Sequence, residues 1–169
     1  VHNLRRHDDP SGFDTLPEPS IQTAVDLPLA AFIPDNYIDD LPLRLAFYQR
    51  LAHSAETEEV IVLGEELIDR FGEMPEPVKN LLFVIRVKVL ARPAGISGVT
   101  RQGGKINLRF QDPIGGAKPL FEKEFGPRIY VGNSIIQLPI LDGWKDELLR
   151  TLGRLADFRE RMFEGIDQL

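Results

Sequence analysis

One segment, Glu65–Leu82, constrains the fold of this chain more than any other, because a glycine and two prolines separate two helical patterns there. Upstream of the glycine, apolar residues recur at spacings of three and four, which places them on one helix face. These residues are Val60, Leu63, Leu67 and Phe71. Ile68 is expected to widen this apolar stripe. Gly72 predicts the end of the helix, because glycine has no Cβ to hinder a left-handed backbone conformation.

Two prolines, Pro75 and Pro77, predict that a second helix follows almost at once. Proline lacks the backbone N–H that a helix interior needs, but the first turn leaves this donor unpaired anyway. We therefore expect a helix to begin at Glu76 or Pro77 and to end near Ala91. Its apolar face comprises Val78, Leu81, Leu82, Ile85 and Val89. Two helices joined by so short a loop are expected to bury their apolar stripes against each other as a helical hairpin.

A third helical pattern precedes this hairpin. Phe47 and Leu51 recur with helical spacing, and Asp39 or Asp40 can cap the start of their helix. Thr57 is expected to cap the next helix, which ends at Phe71. The first half of the chain therefore predicts three helices.

The strands are expected mainly in the second half of the chain, around turns that contain glycine. The predicted strands are Ile21–Leu27, then the hairpin Ile96–Arg101 with Lys105–Phe110, then the hairpin Arg128–Val131 with Ile135–Leu138. A short helix is expected within Pro119–Phe125, and a long final helix from about Trp144 to Gly165. An N-terminal strand and a three-helix segment, followed by two β-hairpins and a long C-terminal helix, define an α+β fold.

The first 20 residues differ in composition from the rest. Val1–Ser20 is polar and rich in turn-forming residues, so we expect a linker or a weakly ordered tail, which Leu4, Phe13 and Leu16 could pin to a surface. Residues 21–169 are expected to form a single domain. Because the first residue is not methionine and the tail lacks the apolar core of a signal peptide, we interpret the chain as a fragment of a longer protein.

Several kinds of site lack support in the sequence. The chain has no cysteine, which excludes disulfides, thiolate metal sites and cysteine nucleophiles. The three histidines, His2, His7 and His53, have no partners at the spacing of a zinc site. Neither a G-x-x-x-x-G-K-[ST] phosphate loop nor a G-x-S-x-G motif occurs. We therefore expect no catalytic residue, metal or cofactor in this chain, and no apolar run approaches the ~20 residues of a membrane span.

A charged edge runs beside the apolar stripe of the helix that ends at Phe71. Its residues are Glu59, Glu66, Asp69 and Arg70. Glu66 and Arg70 stand four residues apart in the order that favours a salt bridge, which contributes about 0.3–0.5 kcal/mol when exposed. Such a local pair is one interpretation of the edge. The other is a polar docking surface, where charges select a partner more than they add affinity, and the sequence leaves both interpretations open.

Three sequence blocks stand in a characteristic order. They are Ile33–Ile38 (I-P-D-N-Y-I), Arg44–Ala52 (R-L-A-F-Y-Q-R-L-A) and Glu66–Gly72 (E-L-I-D-R-F-G), followed by Pro75 and Pro77. In order and spacing they resemble the carboxy-terminal domain of the bacterial transcription-repair coupling factors (Mfd), and the third block is the most specific. The resemblance is strong from about residue 21 to residue 92, and beyond residue 96 it is one of pattern.

This resemblance implies a function for the parent protein. The parent would be an ATP-dependent DNA translocase that pushes on stalled RNA polymerase and recruits nucleotide excision repair in the bacterial cytoplasm, away from membranes. Its motor, with ATP and Mg²⁺, would lie upstream, and residues 1–20 would belong to the linker. The terminal domain would be non-catalytic and hold no cofactor. It would dock on the amino-terminal module that resembles the repair protein UvrB, mask the surface that UvrA binds, and so keep the factor repressed.

Carried over to this chain, the resemblance makes Glu66 the first expected interface residue, with Asp69, Arg70 and Glu59 after it. These side chains are expected to meet basic residues of the partner module. The alternative is an accessory nucleic-acid-binding module that uses basic side chains on both halves of the chain. These are Arg86, Lys88, Arg92, Arg101 and Lys105. A net charge of −6 argues against this alternative, since phosphate contacts favour a basic face.

Overall fold

The computed structural model describes residues 23–167, with side chains described as far as residue 165. The elements follow in the order β1 (Ala24–Asp26), α1 (Leu41–Ala52), α2 (Thr57–Phe71), α3 (Glu76–Ala91), β2 (Ile96–Gln102), β3 (Lys105–Phe110), a 3-10 turn (Gly115–Ala117), α4 (Lys118–Phe125), β4 (Tyr130–Val131), β5 (Ile135–Pro139) and α5 (Trp144–Asp167). The predicted α+β architecture is confirmed, including the start of α3 at Glu76. The predicted tail, Val1–Ser20, lies outside the described residues, as do the first two residues of the predicted strand Ile21–Leu27.

The strands form one sheet in the order β1-β2-β3-β5-β4. Both predicted hairpins are present, with β2 antiparallel to β3 and β4 antiparallel to β5. β3 also pairs with β5, where Leu108 lies opposite Ile136. The short β1 adds to the edge in parallel with β2, with Ala24 opposite Gly98. A parallel neighbour requires a crossover connection, and here the helices α1, α2 and α3 supply it.

Helix α3 lies between two apolar clusters and is buried on two sides. The sequence pattern had predicted a single apolar face for this helix. Val78 and Leu81 are buried in a cluster with α1 and α2. Phe83, Val87 and Ala91 are buried in a second cluster with the sheet, α4 and α5. A helix that is apolar on opposite sides is buried on both of them. Through α3, the first cluster is fixed to the rest of the described structure.

One predicted helix cap, Thr57, is wrong, and the other, Asp40, is confirmed in its position alone. Thr57 is the first residue of α2 and Glu56 is its N-cap, with extended backbone and no side-chain capping hydrogen bond. Asp40 is the N-cap of α1, but its side chain makes no capping hydrogen bond either. The acceptor at the start of α2 is instead the carboxylate of Glu59, whose Oε2 accepts a 3.0 Å hydrogen bond from the Ala55 N–H. A glutamate in the first turn thus reaches back and takes the place of the expected threonine.

The end of α2 follows the prediction at Gly72 and departs from it at Ile68. Gly72 ends the helix with φ of 87°, a conformation that favours glycine, and its N–H donates to the Ile68 carbonyl. The Ile68 side chain is 49% exposed and does not widen the apolar stripe. The buried face of α2 is narrow because the helix packs closely on α3. A Cβ added to Gly64 would lie only 3.1 Å from Leu82 Cδ1.

Candidate interaction surface on helices α1 and α2

Helix α2 packs against α1 and α3 through one buried face, and its charged edge lies on the solvent-exposed side. Leu63 and Leu67 are buried in the cluster with α1 and α3. The hydroxyl of Tyr37 lies 3.1 Å from the Leu67 carbonyl and 3.0 Å from the Gly72 carbonyl, so its one proton can be donated to either carbonyl at the end of the helix. Burial raises the pKa of Tyr37. The last turn of α2, which carries Asp69 and Arg70, is therefore fixed by a side chain from outside the helix.

Glu66 is bonded by two arginines. Arg50, near the end of α1, donates from Nη1 to Oε1 at 3.0 Å and from Nη2 to Oε2 at 2.6 Å. Arg70 donates from Nη1 to Oε1 at 3.1 Å, which confirms the predicted pair four residues apart. The fork of Arg50 matches both carboxylate oxygens, the strongest geometry for such a pair. We call Arg50, Glu66 and Arg70 the arginine–glutamate cluster.

The two guanidinium groups of the cluster lie over aromatic rings. The Cζ atom of Arg50 is 5.3 Å from the centre of the Phe47 ring, and that of Arg70 is 5.5 Å from the same ring. Arg70 also lies 5.2 Å from the Phe71 ring centre. Arginine above an aromatic face gains a cation–π attraction. The buried Phe47 ring therefore lies beneath the cluster, in contact with both guanidinium groups, and fixes their positions.

The electrostatics of the cluster stabilise its charged form. The hydrogen bonds from Arg50, and secondarily those from Arg70, lower the pKa of Glu66 below its usual value, against an opposing effect of burial. Donating hydrogen bonds to the Glu66 carboxylate raises the pKa of Arg50 in turn. The Glu66 side chain keeps 29% of its surface exposed. One carboxylate between two guanidinium groups gives these three residues a net charge of +1, and the neighbouring carboxylates of Glu59 and Asp69 make the surrounding helix face negative overall.

The other expected interface residues lie along the same helix without joining the cluster. Asp69 is exposed, and no described residue makes a hydrogen bond or ion pair with its side chain. Glu59 lies two helical turns from Glu66, about 10 Å along the axis. Its carboxylate accepts the hydrogen bond from the Ala55 N–H at the start of α2. Val62, which the sequence did not indicate, is 58% exposed one turn before Glu66. We call the cluster together with Glu59, Val62 and Asp69 the polar face.

Arg50 is the charged residue of this surface that sequence reasoning missed. It stands 16 residues before Glu66, so no helical spacing relates the two side chains. Their contact depends on how α1 packs against α2, which Phe47 and Leu67 in the shared core determine. The only available signal was that Arg50 belongs to the block Arg44–Ala52, which the sequence had singled out for its resemblance.

Replacing Glu66 with glutamine is expected to lower the free energy of unfolding by about 0.5–1 kcal/mol at pH 7, the upper range of an exposed ion pair. Because the folded state lowers the pKa of Glu66, this stabilisation is present above the unfolded value near pH 4.3 and is lost as the pH falls through the folded pKa. Urea unfolding at pH 7 and pH 3 should therefore show a difference from the wild type that shrinks at pH 3. Glu160→Gln on the exposed side of α5 is the control, and an equal effect of Glu66→Gln at both pH values would contradict the assignment.

The basic residues of the alternative function fall into two groups. Arg86 and Lys88 lie on α3 and Arg92 follows it directly, whereas Arg101 and Lys105 flank the turn between β2 and β3. β2 carries the chain about 16 Å from its first residue to Arg101. Arg86 is half-buried, and its Nε atom is buried without a hydrogen-bond partner among the described residues. The structure therefore does not gather these five side chains into one patch.

Within residues 23–167, no group of three or more histidine, aspartate or glutamate side chains is placed to hold a metal ion. No helix in the same range is both long and apolar enough to cross a membrane. In the arginine–glutamate cluster, one carboxylate is paired with two arginines, and both guanidinium groups lie over the Phe47 ring.

The fold and the E-L-I-D-R-F-G block on its exposed helix lead to a known family. The chain belongs to the TRCF domain family, whose model matches residues 27–115, more than half of the 169 residues. Among solved structures, it is similar to the crystal structure of the C-terminal domain of a transcription-repair coupling factor, with a TM-score of 0.61 and 26% identity. That similarity covers 85% of this chain and 92% of the solved one. The resemblance seen in the sequence is thereby confirmed.

Curated relatives carry the same description. The transcription-repair-coupling factor of Bacillus subtilis is 31% identical over 162 residues, which cover 88% of this chain and 14% of that protein. The transcription-repair-coupling factor of Haemophilus influenzae is 34% identical over 113 residues, which cover 64% of this chain and 10% of that protein. The chain thus spans 10–14% of the length of these two relatives.

Proposed function

We propose that this domain is a non-catalytic, autoinhibitory interaction domain of a bacterial factor that couples transcription to nucleotide excision repair. The parent would be an ATP-dependent DNA translocase whose motor binds ATP, Mg²⁺ and DNA outside this chain. The domain docks on the amino-terminal UvrB-like module of the same protein and masks the surface that UvrA binds. RNA polymerase and UvrA are therefore indirect partners, and the bacterial cytoplasm is the expected location. Membership of the TRCF domain family supports this placement.

The observation that carries the proposal is the arginine–glutamate cluster on an otherwise well-anchored helix pair. Packing of α1 and α2 requires Phe47 and Leu67, which are buried, but it does not require two guanidinium groups and a carboxylate above them. The rings and the forked hydrogen bonds fix the three charges before any partner arrives. A preorganised surface loses little side-chain entropy on binding, and its charges select the partner.

A tether explains how such a polar surface can keep the factor closed. A linker to the motor keeps the domain near the UvrB-like module at an effective concentration that reaches millimolar for short flexible linkers. A weak interface then stays mostly occupied, although each exposed charge contributes little. It can also open when RNA polymerase engages the motor, because no single contact dominates. A docked state that opens easily is what reversible repression needs.

Replacing Glu66 with alanine in the full-length factor is expected to leave this domain folded and to raise both UvrA binding and basal ATPase activity. The change removes the group that holds Arg50 and Arg70 together, so both guanidinium groups lose their fixed positions. Arg50→Ala should act in the same direction, because Arg50 makes both hydrogen bonds of the fork. UvrA pull-down and ATP hydrolysis without DNA measure the effects, with Glu160→Ala as the matched control. Wild-type values for both readouts, with the domain still folded, would show that Glu66 is not a docking contact.

A further inference from the structure

The sheet buries one of its two faces and leaves the other open. Successive side chains of a strand point to opposite faces, and Ile106 and Leu108 of β3 are buried in the second core cluster. The register therefore places the residues that alternate with these on the opposite face, and none of them is buried. Its charged, amide and aromatic members are Asp26, Lys105, Arg109, Gln102, Asn107, Gln137 and Tyr130. We call this surface the open sheet face.

Three amide side chains form a hydrogen-bonded row across the middle of the open sheet face. The Nε2 atom of Gln137 donates to Oδ1 of Asn107 at 3.0 Å, and Nδ2 of Asn107 donates to Oε1 of Gln102 at 3.1 Å. These bonds use only part of the capacity of each amide, so donors and acceptors remain for a ligand. Tyr130 lies directly opposite Gln137 on the edge strand β4 and is 57% exposed. The amide row thus ends beside an accessible aromatic side chain.

Two positive charges flank the amide row. Lys105 and Arg109 stand two residues before and after Asn107, so each lies about 7 Å along β3 from the row. Both side chains are exposed, and neither forms an ion pair with a carboxylate of residues 23–165. Asp26 lies two strands away from Asn107, at about 10 Å. Because charges are screened over about 8 Å at physiological salt, a ligand above the row meets a positive surface, although the net charge of the chain is −6.

The chemistry of the open sheet face favours one class of ligand. Surfaces that bind single-stranded nucleic acid combine cations that contact the phosphates with aromatic side chains on which bases stack. Amide side chains beside such an aromatic residue can form hydrogen bonds with base edges. An acidic peptide segment would pair with Lys105 and Arg109 but would leave Tyr130 without a stacking partner. The combination of ring, amides and cations therefore fits a nucleic-acid strand better than a peptide.

We propose that the open sheet face binds a short single strand of nucleic acid, with phosphates at Lys105 and Arg109 and one base stacked on Tyr130. This site is separate from the polar face, because α1 and α2 attach to the fold through α3, which packs on the other side of the sheet. It also differs from the basic module considered above, of which it retains Lys105 alone. With two phosphate contacts, binding is weak and depends on salt.

The fluorescence anisotropy of a labelled oligothymidylate, titrated with the full chain at several salt concentrations, tests this proposal. About 12 nucleotides lie within the site sizes of single-strand binding surfaces. Two phosphate contacts predict a slope of about −1.4 for the logarithm of the binding constant against that of the salt concentration. Arg109→Gln is expected to reduce this slope by about 0.7. Tyr130→Ala should weaken binding at least about fivefold and leave the slope unchanged.

The matched control is Lys88→Gln, which removes one positive charge from an exposed position on α3 and should change neither affinity nor slope. All three variants replace exposed side chains, and a wild-type urea midpoint confirms that each is folded. The absence of saturable binding at low salt would overturn the proposal. So would equal effects of Arg109→Gln and Lys88→Gln, or wild-type affinity of Tyr130→Ala. Binding of a labelled glutamate-rich peptide in place of the oligothymidylate would assign the open sheet face to an acidic protein segment instead.

Discussion

Replacing Asp69 with lysine is expected to weaken the binding of this domain to the UvrB-like module by about 10- to 100-fold, which corresponds to about 1.4–2.8 kcal/mol. Asp69 is exposed and makes no hydrogen bond to any described residue, so its change should not disturb the fold. If basic residues of the module face it, the variant places like charges opposite each other, and such contacts cost up to several kcal/mol. Isothermal titration of the domain with the isolated module measures the effect.

The matched control for this charge reversal is Asp157→Lys, an exposed aspartate on α5. It changes the net charge by the same amount but lies on a different helix. Both variants should keep the wild-type urea midpoint, since each substitutes an exposed side chain. Equal affinities for Asp69→Lys and the wild type would remove Asp69 from the interface. Equal losses for the two variants would show that total charge, not the polar face, determines binding.

Replacing Leu67 with alanine is expected to lower the free energy of unfolding by about 2–5 kcal/mol, the range for a fully buried leucine. Leu67 is wholly buried where α1, α2 and α3 meet, and its carbonyl lies within hydrogen-bond distance of the Tyr37 hydroxyl. Because the same residue supports the helix that carries Glu66, docking should weaken at temperatures where the variant begins to unfold. Urea unfolding followed by circular dichroism measures the loss of stability.

The neighbouring residue provides the control for this core substitution. Ile68→Ala removes a side chain that is 49% exposed and should change the free energy of unfolding by no more than about 0.5 kcal/mol. The pair separates the buried stripe from its exposed flank on one helical turn. If Ile68→Ala lowered the free energy of unfolding as much as Leu67→Ala, Ile68 would belong to the buried apolar stripe, as the sequence pattern indicated.

Local signals in the sequence were enough to predict most of the elements. Gly72, Pro75 and Pro77 placed the end of α2 and the start of α3, because their backbone restrictions act within a few residues. The glycine turns likewise placed both β-hairpins. The predicted cap failed at Thr57 because the helix already includes that residue, and the Glu59 carboxylate accepts the hydrogen bond from the backbone before the helix. Competition between neighbouring acceptors is not visible in residue type alone.

Long-range packing explains what the sequence could not predict. The burial of α3 on two opposite sides depends on where the sheet and α5 lie, and the parallel pairing of β1 with β2 spans more than 70 residues. The same holds for the candidate site. Glu66 and Arg70 were found by helical spacing, whereas Arg50 reaches Glu66 through the packing of two helices. Helical periodicity therefore locates a surface but not all the residues that complete it.

The completed cluster also changes what docking at this surface requires. Glu66 already accepts hydrogen bonds from two arginines, so a basic partner residue must share its oxygens with them. Asp69 has no such competition within the described residues and presents its carboxylate directly. Among the expected interface residues, Asp69 is therefore the cleaner test of direct contact, and Glu66 tests whether the cluster must stay assembled.

The most direct test of the proposed function is the binding of the purified domain to the separately purified UvrB-like module, measured with and without UvrA. Docking on the surface that UvrA uses predicts saturable binding that Asp69→Lys weakens and that increasing UvrA displaces. Binding that persists at saturating UvrA would show that the domain docks elsewhere on the module. No binding at the millimolar concentrations that a short tether provides would contradict the autoinhibitory function itself.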